Sequence, residues 1–225
     1  MKSLAMFGAA ALVASSASAA FTGFSVDRTV TAEGNTQYKI YANWNQSNAV
    51  MLNAFNFNQL SGALNARHQD NGIDENENPL GSWSAGLNGN LAARNNDSWV
   101  TVSGSGTVAG HDTALDPSFV FPPGSTDRSY IPHNAGWYEA TPGTPNVVQA
   151  GGNQGGYRMM LLQIVRSGSG DDPIATFGFT VGWKVANTTT ALFGGTGQVI
   201  TIGVPAPGAI ALLGLAGLAA RRRRG

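Results

Sequence analysis

The 225-residue chain contains no cysteine, which excludes disulfides, zinc–thiolate centres and thiol catalysis. Charge is scarce as well: Asp, Glu, Lys and Arg make up 12% of the sequence, about half the usual fraction. The formal net charge is zero, but Lys2 and the run 221–224 hold five of the thirteen basic residues. Between those ends, eight basic residues stand against thirteen acidic ones, an excess of five negative charges. Phosphate binding needs clustered cations, so no nucleic-acid partner is expected for such a body. No long stretch carries the 3.6-residue apolar period of an amphipathic helix, and residues 60–68 (LSGALNARH) are the best candidate for one short helix. No repeat of fixed period is present, which disfavours a solenoid or propeller.

Strand signals are what the body does contain. Residues 37–44 (QYKIYANW) alternate apolar and polar side chains, with Tyr41 on the wetter side. Residues 49–57 (AVMLNAFNF) and 158–165 (RMMLLQIV) are more continuously apolar, as in central strands, and 98–103 (SWVTVS) alternates again. Residues 176–185 (TFGFTVGWKV) have almost a pure period of two, and 198–204 (QVITIGV) closes the set. Long Gly-, Pro- and Asn-rich segments join them at 69–89, 104–124 and 142–156. The expected fold is mainly β. It is a single antiparallel β-sandwich, jelly-roll or Ig-like, over residues 21–203, flanked by an N-terminal signal helix and a C-terminal transmembrane helix.

Residues 1–20 read as a signal peptide. Lys2 gives a positive start, residues 4–13 (LAMFGAAALV) an apolar stretch, and Ala17-Ser18-Ala19 an A-x-A cleavage pattern. The mature chain is expected to begin at Ala20 or Phe21, with the export machinery as a partner; the alternative is a buried N-terminal helix. At the other end Val204, Pro205, Ala206 and Pro207 precede an uncharged stretch, which ends in Arg221, Arg222, Arg223 and Arg224. As a helix, residues 207–220 would span about 21 Å. That is short of the roughly 30 Å hydrocarbon core, so membrane insertion requires adjustment. The arginines would stay on the cytoplasmic side. The alternative is a buried apolar helix with a solvated basic tail. Pro205 and Pro207 cannot donate to a sheet ladder, so the chain is expected to leave the sandwich near Val204.

This ending resembles the PEP-CTERM sorting signal of bacterial envelope proteins, also catalogued as an ice-binding protein C-terminal domain. Val204, Pro205 and Pro207 match the Val-Pro-Glu-Pro motif, and Ala206 stands where Glu is usual, as in planctomycete VPAPGA variants. The resemblance covers residues 204–225. It implies handling by an exosortase-type sorting enzyme, transient single-pass membrane anchoring, and a place in the cell envelope or outside it. A looser resemblance, carried by QYKIYANW, AVMLNAF, the DSWVT motif at residues 97–101, Gly136-Trp137 and MMLLQIV, is to a secreted planctomycete-type family of anchored proteins.

Candidate sites within the body are sparse. Asp70, Asp74, Glu75 and Glu77 form an oxygen-rich stretch that could hold Ca2+, but the spacing fails the EF-hand pattern and a solvated turn is the simpler reading. No other cofactor is expected. His68, His111 and His133 lack metal-protease spacing, and no G-x-S-x-G elbow accompanies them, so they read as exposed loop residues. Asp171-Asp172-Pro173 reads as a turn, Asp97 as a strand-end residue bonding locally, and residues 194–197 (GGTG) as a hairpin connection. Trp44, Trp99 and Trp183 fall on alternating strands as core. Trp83 and the pair Trp137-Tyr138 lie in loop-like sequence, and Trp137 and Tyr138 are the expected ligand contacts of a sugar-stacking surface. These features point to an exported, non-catalytic envelope protein; a binding module for extracellular polysaccharide and an extracellular hydrolase are the alternatives.

Overall fold

The computed structural model describes residues 18–68, 83, 96–102, 113–123, 125, 127–140, 148–152, 155–168 and 172–204. Among them the chain is mainly β and contains no helix. The strands are β1 (Phe21–Val30), β2 (Thr36–Trp44), β3 (Ala49–Ser61), β4 (Trp99–Val100), β5 (Thr113–Leu115), β6 (Trp137–Glu139), β7 (Gln149–Ala150), β8 (Tyr157–Arg166), β9 (Ala175–Val185), β10 (Ala191–Gly194) and β11 (Ile200–Ile202). They form two sheets in which every pairing is antiparallel. Sheet A runs β1-β2-β8-β4, with β7 also on β8; sheet B runs β10-β9-β3-β6-β5, with β11 also on β9.

The period-two pattern of β9 explains how the sheets meet. Phe177, Phe179, Val181 and Trp183 point inward and are buried, while Gly178, Thr180, Gly182 and Lys184 take the other face. Across the core stand Ile40, Ala42 and Trp44 of β2 and Met159, Leu161 and Ile164 of β8, in the same apolar cluster. Burying side chains of this size contributes about 1.5–3 kcal/mol each. Phe57 stacks on Phe177 with ring centroids 5.4 Å apart, and Trp44 meets Trp183 edge-on at 6.0 Å. Phe21 and Phe24 of β1 reach across to Trp183 and Phe179 at 5.8 and 4.9 Å.

The two termini of the described body lie at opposite ends of the sheets. The β2–β3 and β9–β10 connections meet where the Ala186 N–H donates to Asn48 O at 2.8 Å. The start of β1 is at that end too, because Ala20 N–H donates to Asn45 Oδ1 at 2.7 Å. At the far end β11 finishes, and the Val204 N–H donates to Asp172 O at 3.0 Å.

The helix expected at residues 60–68 is not formed. Residues 60 and 61 finish β3, and then Gly62 (φ 66°) and Asn65 (φ 49°) take left-handed conformations that a helix excludes. The extended segment instead binds its neighbours: Ala66 N–H donates to Ser129 O at 2.9 Å and Arg67 N–H to Val165 O at 2.7 Å. No helix among the described residues is long and apolar enough to cross a membrane. The signal segment 1–17, including Ala17, and the tail 205–225 lie outside the described residues.

Candidate functional site

A buried ionic cluster sits at the end of the body where β8 leads into β9. Asp172, in the connection between β8 and β9, is buried. Its carboxylate accepts from the Tyr38 hydroxyl, from Arg28 Nε at 3.2 Å and from an Arg166 terminal nitrogen at 3.0 Å. Arg166, itself buried, also donates to the carbonyls of Leu64 and Ala63 at 2.7 and 3.0 Å. Burial, and then the bond to Asp172, push the Tyr38 phenol above its ordinary range. A carboxylate bound by three donors is a structural anchor, not the free acid or base of a glycosidase.

His68 is likewise engaged, and the exposed-loop reading is corrected, because its side chain is only 8% exposed. Nε2 lies 2.9 Å from the Arg128 carbonyl, and Nδ1 faces Asp97 Oδ1 at 3.3 Å. The ring sits edge-on to Trp83 at 4.7 Å, and the Trp83 indole donates to the same Arg128 carbonyl at 3.1 Å. Neither ring nitrogen is aimed at a hydroxyl, as a nucleophile-activating base must be. Asp97 accepts from the Ser98 N–H at 2.8 Å, the local strand-end bond expected of it. His133 is exposed. His111 and the acidic residues Asp70, Asp74, Glu75 and Glu77 lie outside the described residues.

The tryptophans divide differently from expectation. Trp44 and Trp183 are core, and Trp99 is buried in a second small cluster with Met160. Trp83 and Trp137 are buried too, so neither offers a face to a sugar. Trp137 lies on β6, packs against Phe179 at 5.4 Å and donates its indole N–H to Thr101 O at 3.1 Å. Its neighbour Tyr138 points the opposite way, as period two requires, and is 41% exposed.

Tyr138 therefore belongs to the outer face of sheet B, and this face holds the candidate site. Two irregularities shape it. In β3 the register steps from Phe55 opposite Thr180 to Asn58 opposite Gly178, leaving one extra residue. Asn56 takes the strain in a left-handed conformation (φ 56°), which Asn tolerates better than other non-glycine residues. On the far side of β9, β10 ends with Gly194 opposite Val181 and β11 begins with Ile200 opposite Phe177. Residues 194–197 are therefore no hairpin connection. β10 and β11 are two halves of one edge strand, and residues 195–199 bow out between them. Gly195 (φ 84°) and Gly197 (φ 77°) make the bow possible, and Gln198 N–H donates to Gly195 O at 2.9 Å. The bow passes close over β9: a side chain at Gly178 would place its Cβ 2.6 Å from Gln198 O.

Between the two irregularities lies a pocket of about 290 Å³ with Gly178 and Thr180 along β9. Asn56, Asn58 and Leu60 stand on one side, Thr196, Gly197 and Gln198 on the other. Thr180 and Thr196 hydroxyls hydrogen-bond at 3.0 Å and tie the bow to the sheet. The side-chain amides of Asn56, Asn58 and Gln198 have no hydrogen-bond partner among the described residues. None of the lining residues is ionisable. Beside the pocket Phe55 meets Phe193 edge-on at 6.0 Å, and Phe193 is 63% exposed. No group of three or more His, Asp or Glu side chains able to hold a metal ion occurs among the described residues. The chain matches no protein-family model, no curated protein and no solved structure.

Proposed function

We propose that this is an exported, non-catalytic envelope protein, delivered by residues 1–20 and sorted through residues 204–225 by an exosortase-type enzyme. The observation that carries the reading is the fit between sequence signals and fold boundaries. β1 begins at Phe21, directly after the expected cleavage site, and the last strand ends at Ile202, just before Val204 opens the sorting motif. Cleavage after Ala19 would leave the new Ala20 ammonium on Asn45 Oδ1, a charge-assisted bond in place of a neutral one. A tail leaving beside Asp172 would hold that end of the sandwich towards the membrane. The opposite end, with the β2–β3 and β9–β10 connections, then faces outward.

We read the sandwich as Ig-like in wiring and not as a jelly roll. The order β1-β2-β8-β4 against β10-β9-β3 follows the A-B-E-D and G-F-C arrangement of that class. The two connections that meet at Asn48 and Ala186 correspond to its B–C and F–G loops. The departure is that β4 precedes β5 and β6, which extend sheet B beyond β3.

Mass spectrometry of both ends of the protein from its host tests the delivery reading. The expected result is a new N-terminus at Ala20 or Phe21. Changing Arg221, Arg222, Arg223 and Arg224 to Glu is expected to remove the protein from the envelope fraction. An intact Met1 on cytoplasmic protein, or unchanged envelope localisation of the tail variant, would overturn it.

A further inference from the structure

We propose that the pocket between the Asn56 bulge and the 195–199 bow is a binding site for one neutral sugar ring of an extracellular polysaccharide. The proposal rests on the exported reading for access to such a ligand. With no ionisable side chain in its lining, the pocket has nothing to attract a phosphate, a carboxylate, a basic peptide or a metal ion. What it does offer is two uncommitted amides, at Asn56 and Asn58, each with a donor and an acceptor side by side, while the Gln198 amide oxygen lies toward Gly23 of β1. Adjacent hydroxyls of a pyranose supply the complementary pair, donor to acceptor and acceptor to donor. The two threonine hydroxyls, already bonded to each other, keep unused capacity toward the pocket.

Shape supports the same class of ligand. Gly178 has no side chain, which lets the Gln198 carbonyl close over β9 and form one wall of the pocket. Leu60, 51% exposed, gives the apolar C–H face of a sugar a surface to cover. The exposed ring of Phe193 beside Phe55 extends that apolar surface along the sheet. A volume of about 290 Å³ lies at the small end of ligand pockets and suits one ring. The pocket walls are also held in place by the backbone: Asn56 sits on a bulge, and the facing bow is tied to Thr180 through Thr196. Little ordering entropy is then lost on binding.

Calorimetric titration of the full chain tests this, with neutral gluco-, manno- and xylo-oligosaccharides as probes and polygalacturonate as the charged comparison. At least one neutral series is expected to bind, polygalacturonate not. Asn56→Gly keeps the left-handed backbone and deletes the amide, so it should weaken binding about tenfold, as loss of one or two bonds of ordinary strength implies. Asn58→Ala, at an exposed position, should weaken it several-fold and serves in place of Asn56→Gly if that variant does not fold. Arg158→Ala, on sheet A, should leave affinity unchanged. Binding to no neutral series, binding to polygalacturonate alone, or affinity indifferent to both pocket variants would overturn the proposal. Each of those failures would leave the delivery reading untouched, because titration of purified protein does not depend on how the protein reached the envelope.

Discussion

The two sheets share one core but differ in what their polar groups do. The long strands of sheet A carry Asp27, Arg28, Lys39, Arg158 and Arg166, whereas those of sheet B carry only Lys184, with Glu139 on short β6. In sheet A four of these five charges are spent on the fold: Arg28 and Arg166 close on Asp172, and Arg158 bonds Asp27 at 2.9 Å while lying over the Tyr41 ring at 3.9 Å. On sheet B the pocket lining is neutral, and the side-chain amides of Asn56 and Asn58 bond to nothing within the described residues. Groups already satisfied stabilise, and groups left with unused hydrogen-bonding capacity at a concave surface are available to a ligand. The Asp172 cluster is therefore an anchor, and the neutral pocket on sheet B is the proposed working surface.

The comparison breaks most visibly at Asp172. Asp172→Ala should destabilise the protein by about 3–5 kcal/mol, because it leaves Arg166 buried without its carboxylate; the midpoint of urea unfolding reads this. On sheet B, Asn56→Ala should cost about 1–2 kcal/mol, the penalty of a Cβ in a left-handed conformation without the Asn side chain's tolerance for it. Asn56→Gly should stay within about 0.5 kcal/mol of the parent in the same assay.

Tyr38 gives a pH signature of the anchor. Its phenol is held protonated more firmly in the folded than in the unfolded chain. The stabilisation is therefore complete below the unfolded value of about 10 and is lost as pH rises beyond it. Thermal unfolding followed from pH 8 to 11 should show the loss in the parent and a reduced loss in Tyr38→Phe, which itself costs about 1 kcal/mol at neutral pH. Arg158→Ala should have a small effect, about 1 kcal/mol or less, because the Asp27 side chain it pairs with is 45% exposed. That cost should shrink further in high salt.

How much of this was legible in the sequence follows the length of the pattern. β2, β3, β8 and β9 are long enough to display a period of two or a continuous apolar run, and each lies where the sequence places it. β1 escapes notice because its apolar residues are interrupted by Gly23, where the register against β2 shifts, and by the polar run that follows. β5, β6 and β7 have two or three residues each, too few to show a period. Leu60 and Leu64 stand one helical turn apart and imitate a helix, but only the left-handed backbone at Gly62 and Asn65 reveals otherwise.

The candidate site was half visible. Residues 194–197 announce a turn, yet composition does not say that β10 and β11 share β9 as partner instead of pairing with each other. Asn56 within an apolar strand was the available signal for a bulge. The Asp172 anchor joins residues from three strands and a connection, the farthest 144 positions apart, and no local pattern carries such a contact.

The central proposal is that ligand binding resides in the neutral pocket on the outer face of sheet B. The most direct test is an amide chemical-shift titration of isotopically labelled protein with the best-bound neutral oligosaccharide. The account predicts that the largest shifts fall on Asn56, Asn58, Gly178, Thr180 and residues 196–198, with β2 and β8 of sheet A unmoved. Saturable shifts centred on Tyr41, Arg158 and Gln163 of sheet A, with the pocket residues still, would contradict it.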